Sequence, residues 1–394
     1  MKFSATSSPR RCSGFDQMMQ FQLTPEQAAL KDSVARFVQR EYGFEHRTAL
    51  LRSAEGFSRA HWTAFAELGW LGAGLSEDKG GYGGGTVENA LILEELARGL
   101  VLEPILACAV GALQLLAALP PSETVEALIA QIVGGETIAV LAHGEVDDRL
   151  AARAEPSPEG WRLRGGKRFV LSGAAADLFL VTATTPDGAI GVFSVARGAP
   201  GLTITDYRAV DGRRVCDLAF EDLLLPADAR LSSDSDASPA VETALDHLTI
   251  GLCAEALGAM DTALWLTRDY LKTRKQFGVT LNTFQALQHR MADMLVETEL
   301  ARSMLLYGVA ALSEPDALKR AKAVSAAKAQ IGEAGYFVCA DAIQLHGGIG
   351  VTEEYAVGHF YKRLVLVRNL LGHTDEHLAR FARLSRGGNE RTLG

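Results

Sequence analysis

The stretch Gln344-Leu345-His346-Gly347-Gly348-Ile349-Gly350 (QLHGGIG) closes a long helical pattern and sets three glycines beside one glutamine. Glycine lets a backbone approach another group closely because no Cβ stands in the way. That group can be a phosphate or a neighbouring helix, or the glycines can serve only a tight turn. Seven residues do not choose among these. Upstream, Arg274-Lys275-Gln276-Phe277-Gly278 (RKQFG) ends another long helical pattern, and Gln285 follows within FQALQH. Taken alone, RKQFG reads as a helix C-cap, with basic residues against the dipole and glycine in the left-handed position. The Gln285 amide could reach a polar ligand or cap its own helix.

Outward from these motifs the chain divides by periodicity. Residues 240–385 are helical. ALDHLTIGLCAEALGAMDTALWLTRDYLKTR is nearly free of breakers and apolar almost all round, which places it inside a bundle or an oligomer interface. Phe284, Leu287, Met291 and Met294 recur at helix spacing, as do Ala323, Ala326, Ala327 and Ile331. Residues 131–235 are different. WRLRGGKRFVLSG, ADLFLVTAT, AIGVFSVA and CDLAFEDLLLP are short runs broken by Gly, Pro and Asp, which predicts antiparallel strands in a small sandwich or barrel. Residues 21–130 are helical again. Thr24-Pro25-Glu26-Gln27 spells a capped start, and Leu30, Val34, Phe37 and Val38 follow at helix spacing. A second helix is expected through Trp62, Phe65, Leu68 and Trp70. The glycine-rich EDKGGYGGG lacks the GK[ST] ending of a phosphate loop. Residues 1–20 are expected to be a disordered leader and 386–394 a tail. The predicted fold class is therefore α+β: an N-terminal helical domain, a middle β-domain and a C-terminal helical bundle.

Composition limits the function. A net charge of −9, with no basic blocks, argues against nucleic acid or an anionic membrane as main partner. No run reaches the length of a membrane span. Five cysteines at 12, 108, 216, 253 and 339, without CxxC spacing, suit free buried thiols in a reducing cytoplasm and give no metal site.

Order and spacing of RKQFG, FQALQHRMADMLVETELAR and QLHGGIGVTEEY resemble the C-terminal signatures of the acyl-CoA dehydrogenase family. LTPEQAALKDSVARFV, ILEELARGLVLEP, GGKRFVLSGAAADLFLV and DLAFEDLLLP extend the resemblance over residues 21–385. EYAVGHFYKRL and KTRKQFGVTLNTFQALQHR look closest to small subunits of pimeloyl-CoA dehydrogenase-like enzymes. The resemblance implies a C-terminal four-helix bundle and an FAD held between the β-domain of one subunit and the bundle of another. It places Arg274 at the flavin pyrophosphate, Gln285 at the ADP portion, and Gln344, Gly347 and Gly348 against pyrophosphate and ribose. Thr374, Asp375 and Glu376 fall where family members contact the flavin near the adenine–pyrophosphate side, and Phe169, Val170 and Leu171 where they pack on its ring. It further implies an acyl-CoA substrate, a homo- or hetero-tetramer with a related subunit, and electron-transferring flavoprotein as acceptor.

The chain departs from the family in two places. Leu171 stands where the family has a threonine, with Ser172 expected on the opposite strand face. AVLAHGEVDDRLAARAE replaces an acidic-Pro-Gly-Ser-Asp stretch, leaving His143, Glu145 and Asp147 as possible substitutes. The family's reaction also needs a carboxylate in a dry pocket to take the α-proton of the thioester. The two usual positions for that glutamate align with Gly372 and Leu248. Asp375, Glu376 and His373 are the nearby alternatives; Asp246 is turned away on its helix, and Glu255 lies about 10 Å along the axis from Leu248. Two readings follow: an enzyme subunit that oxidises an acyl-CoA, and a scaffold subunit that lends Arg274 and Gln285 across an interface. An oxidase or monooxygenase on the same fold is a third.

Overall fold

A computed structural model of the chain describes residues 22–145, 151–233 and 236–386. The expected leader, Cys12, Asp147 and the tail beyond Arg386 lie outside the described residues.

The helical part before the sheet comprises α1 (Pro25–Glu41), α2 (Phe44–Arg52), α3 (Arg59–Glu67), α4 (Thr86–Arg98), α5 (Leu113–Ala118) and α6 (Glu123–Val133). A π-helical turn, Leu106–Ala112, runs directly into α5. The start of α1 is the capping box expected from its sequence. Gln27 N donates to Thr24 Oγ1 at 3.2 Å, and Thr24 N donates to Gln27 Oε1 at 3.1 Å. The inward side of α1 carries Phe37, whose ring meets Phe65 and Trp70 edge-on at 5.2 and 5.5 Å. α3 is shorter than its apolar pattern suggested. Gly69, at φ 74°, stops it, so Leu68 is left half in solvent while Trp70 is buried from the following loop. The glycines of EDKGGYGGG approach their own chain: a Cβ on Gly81 would lie 2.3 Å from Leu75 O, and one on Gly84 2.2 Å from Ala73 O.

The middle sheet is built from β1 (Ala139–Ala142), β2 (Arg153–Ser157), β3 (Gly160–Leu171), β4 (Leu178–Thr184), β5 (Ile190–Ala196), β6 (Leu202–Arg208) and β7 (Arg214–Leu225). The strand order is β1-β4-β2-β3-β7-β6, with β5 paired to β4. The expectation of a purely antiparallel sheet is corrected at one edge. β1 pairs with β4 in parallel over four residues, and β2 meets β4 in parallel at Arg153–Thr184. The register of β3 on β7 shifts between Lys167 and Val170, a bulge that throws Phe169 to φ 50°.

The last part holds α7 (Ser238–Thr273), the hairpin β8 (Lys275–Gln276) and β9 (Val279–Thr280), α8 (Gln285–Ala311), α9 (Ala317–His346), α10 (Ala356–Asn369) and α11 (Thr374–Ser385). α7 is buried around most of its circumference. Close approach explains its small residues. A Cβ on Gly258 would stand 2.0 Å from Glu94 O of α4. Val296, Leu300 and Tyr307 form an exposed stripe along α8, spaced to share one helix face. Cys108, Cys216, Cys253 and Cys339 are free and buried. No helix among the described residues is long and apolar enough to cross a membrane.

Candidate functional site

Of the reading of RKQFG as a helix C-cap, the structure keeps Arg274 as the C-cap residue of α7 and corrects the role of the glycine. α7 ends at Thr273, Arg274 takes an extended conformation, and the motif turns as a two-residue hairpin with Phe277 at φ 55° and Gly278 at φ 83°. Both left-handed angles belong to a primed hairpin turn. Gly278 therefore serves the hairpin, and Phe277 is left 90% exposed at its tip.

Arg274, Gln285, Gln344, Gly347 and Gly348 all lie on the surface of the chain. Among the described residues, the side chains of Arg274, Gln285 and Gln344 have no hydrogen-bond or ion-pair partner. A Cβ on Gly347 or Gly348 would meet nothing within 4 Å. Gln285 opens α8 without capping it. The ends of α7 and α9 are neighbours, because Tyr270, one turn before Arg274, stacks at 4.5 Å on His346, the residue before Gly347. A free guanidinium, free carboxamides and an open glycine backbone are the donors a diphosphate and ribose require. This side fits the nucleotide part of FAD.

The β-domain side differs. Phe169 and Leu171 are half-buried, and Phe169 N donates to Asp217 Oδ1 at 2.9 Å. Ser172 is at φ 55°, past the end of β3, so strand alternation no longer sets its direction. The polar groups nearby satisfy one another. Lys167 Nζ donates to Glu145 Oε1 and, at 3.2 Å, to His143 O; Ala152 N donates to Glu145 Oε1 at 3.2 Å. His143 Nδ1 lies 3.1 Å from Thr182 Oγ1, and burial with the adjacent Lys167 pushes the imidazole down to about 4. Leu171 is an apolar side chain and brings no hydroxyl to this side.

At the start of α11, Glu376 Oε2 accepts from His373 N at 2.8 Å, and Asp375 N donates to His373 Nδ1 at 3.3 Å. Glu376 thus belongs to a cap, and the Asp375 side chain is 87% exposed. Thr374 is buried, and its hydroxyl has no hydrogen-bond partner among the described residues. Gly372 sits at φ 102°, where a Cβ would lie 2.8 Å from His377 Nε2. Lys328, which nothing in its alanine-rich sequence singled out, holds this loop from below. Its Nζ donates to Gly372 O at 2.9 Å and to Arg368 O at 3.2 Å.

Leu248 packs on the π-helical turn: a Cβ on Gly111 would touch its Cδ1 at 2.8 Å. Glu255, one more potential base on α7, is taken up by arginines. Arg363 NH2 donates to its Oε2, Arg213 NH1 to its Oε1 at 3.3 Å, and Arg363 NH1 to Asp211 Oδ2 at 3.1 Å. Burial alone would raise the Glu255 carboxyl, but Arg213 and Arg363 bring it below the ordinary value. Asp246 receives Arg320 Nε at 2.9 Å. The remaining buried carboxylates are engaged too. Glu94, Glu95 and Asp261 pair with Arg98 or Arg302, and Glu103 accepts from Tyr42 OH and Ser58 N.

Three comparisons bear on this arrangement. Models of the acyl-CoA dehydrogenase N-terminal, middle and C-terminal domains match residues 24–136, 147–223 and 239–384. Benzylmalonyl-CoA dehydrogenase of Aromatoleum aromaticum is 31% identical over 377 residues, covering 91% of this chain and 97% of that relative. The probable acyl-CoA dehydrogenase YngJ of Bacillus subtilis is 29% identical over 391 residues, covering 90% and 100%. Among solved structures, the ChsE4–ChsE5 complex from Mycobacterium tuberculosis contains a chain matching with a TM-score of 0.86 at 27% identity, covering 95% of this chain and all of that one.

Proposed function

The chain belongs to the acyl-CoA dehydrogenase family of oxidoreductases, and on that premise we propose that it is one subunit of a heteromeric, FAD-dependent acyl-CoA dehydrogenase. In this reading it lends a nucleotide half-site through Arg274, Gln285, Gln344, Gly347 and Gly348, while a related subunit carries the catalytic base. The carrying observation is that every buried carboxylate among the described residues is already paired or hydrogen-bonded. A base for a weakly acidic α-proton needs a dry site and a free lone pair. Asp375 and Glu376 have solvent around them, a Cβ on Gly372 would meet the His377 ring, and Leu248 is an apolar residue packed on the π-helical turn.

Arg274 would place its positive charge on the pyrophosphate, and the two glutamines would orient the ADP portion. Phe169 and Leu171 present an apolar face on this chain's own β-domain for the flavin ring, where hydrophobic contact outweighs donors, and Thr374 and Glu376, at the start of α11, are assigned to the adenine–pyrophosphate side. When bound, the flavin supplies the acceptor for the β-hydrogen of the acyl thioester. The exposed stripe of Val296, Leu300 and Tyr307 is surface that a related subunit could cover. That ChsE4–ChsE5 is a complex of two chains supports a heteromeric assembly. A cytoplasmic setting, an acyl-CoA substrate and electron-transferring flavoprotein as acceptor complete the reading. The test is purification alone and with a co-expressed related subunit, followed by anaerobic titration with a panel of acyl-CoA esters. Flavin absorbance and its bleaching are expected only for the co-expressed complex. Bleaching by the chain alone would overturn the shared-subunit assignment.

A further inference from the structure

Beneath the Arg274 hairpin and the Gly347–Gly348 turn lie three aromatic rings from three different elements. Tyr270 of α7 stacks on His346 of α9 with centroids 4.5 Å apart and planes 27° apart. Tyr355, the residue before α10, closes the triangle at 5.0 Å from His346 and 6.2 Å from Tyr270. Each of the three residues lies close in the chain to a different part of the half-site. Tyr270 O accepts from Arg274 N at 2.8 Å. His346 is bonded directly to Gly347, and Tyr355 follows the turn that begins there, just before α10.

The histidine is an unusual choice for packing alone. His346 is 3% exposed, and its Nδ1 lies 2.8 Å from Ala342 O, so Nδ1 carries the proton and donates. Burial holds the imidazole below its ordinary value, which leaves Nε2 a bare acceptor. That Nε2 is buried with no hydrogen-bond partner among the described residues. An unpaired buried nitrogen is a standing cost that an apolar side chain would avoid. What imidazole contributes is a flat ring fixed by one bond to its own helix and free to stack on both tyrosines.

We propose that Tyr270, His346 and Tyr355 form an aromatic brace that sets the separation between the Arg274 guanidinium and the Gly347–Gly348 backbone. They are thereby positioning residues for a nucleotide diphosphate. This inference rests on the half-site reading above. Hydrogen bonds to phosphate oxygens weaken steeply outside a narrow range of distance and angle. Packing is sparse at the tips of the hairpin and the glycine turn: Phe277 is 90% exposed and meets the Phe284 ring at 6.2 Å, and a Cβ on Gly347 or Gly348 would touch nothing. The rings below hold the two together.

The experiment titrates the full chain, in the assembly in which it purifies and freed of bound nucleotide, with 5′-ADP and with FAD by calorimetry. His346→Ala, His346→Leu, His346→Phe and Arg274→Ala are compared, with the unfolding midpoint of each. Arg274→Ala, His346→Ala and His346→Leu are each expected to weaken both ligands about tenfold or more, the scale of a charge-assisted bond. His346→Phe, which keeps a flat ring, is expected to restore affinity to within about threefold of the unaltered chain. Weak binding by Arg274→Ala together with normal binding by the Ala and Leu variants at His346 would overturn the brace and leave the half-site standing. Equal weakening by His346→Phe would also overturn it, because stacking would then not be the cause. Unchanged binding by Arg274→Ala would remove the half-site reading itself. Should His346→Ala fail to fold, His346→Leu and Tyr270→Leu carry the same comparison.

Discussion

Two regions of this chain face the same expected cofactor, and they are built in opposite ways. Around Arg274, Gln285 and Gly347–Gly348, polar groups are exposed and unpartnered, and the glycines leave open space. Towards the interior, Lys167 and Glu255 are buried and paired, and a Cβ on Gly372 would meet the His377 ring. Groups that stay free in the folded chain are available to a ligand. Groups that satisfy one another contribute to stability and rigidity instead. The difference separates a surface with free donors from an interior in which, among the described residues, no buried carboxylate is vacant.

The contrast can be broken by substitution. Arg363→Leu leaves Glu255 and Asp211 buried without their main partner, and should lower unfolding free energy by roughly 3–5 kcal/mol in urea titration. Arg274→Leu, which has no partner to lose, should stay within about 0.5 kcal/mol. Similar losses from both would erase the distinction between the regions. Gly372→Glu would restore a carboxylate at one family position but meets φ 102° and the His377 ring. A loss of about 2–3 kcal/mol is expected, from backbone strain plus the clash. No bleaching by acyl-CoA should appear in the isolated variant, and its appearance would show that the loop adapts.

Acid should act on the closed region first. His143, His247 and His377 are each pushed down to about 4, chiefly by burial. The unfolded chain binds these protons more readily, so the stability they confer is present above the ordinary imidazole range and is lost as pH falls towards 4. Between pH 7 and 5 the loss should be roughly 1–2 kcal/mol per ring, read from unfolding midpoints. Replacing His377 by Asn should flatten that slope. The smallest effect on folding is expected at Gly348→Ala, under about 0.5 kcal/mol, since nothing is touched. Nucleotide affinity should still fall severalfold, and unchanged affinity would place the ligand elsewhere.

Local chemistry was readable where neighbours along the chain settle the outcome. The Thr24–Gln27 capping box and the apolar wrap of α7 follow from spacing alone, and so does the sequence of helices, strands and helices. RKQFG was not readable in the same way. A basic run followed by glycine suits a helix end or a hairpin equally, and pairing of Lys275 with Thr280 decides for the hairpin. The cap at α11 was hidden because its N-terminal residue is His373, an uncommon capping side chain. The parallel edge of the sheet was hidden because β1 and β4 are separated by two other strands.

The sequence by itself determined that Gly372 and Leu248 stand where the family resemblance puts its base glutamates, and that Arg274, Gln285 and the glycines of 344–350 are present in order. Only the tertiary structure decided that Glu255 is consumed by Arg213 and Arg363, that Glu376 caps a helix, and that Tyr270, one turn before Arg274, stacks on His346, next to Gly347. Residue identity is written in the chain, whereas pairing depends on which distant segments packing brings within a few ångströms. Whether a carboxylate or a guanidinium is free for chemistry is a property of that packing.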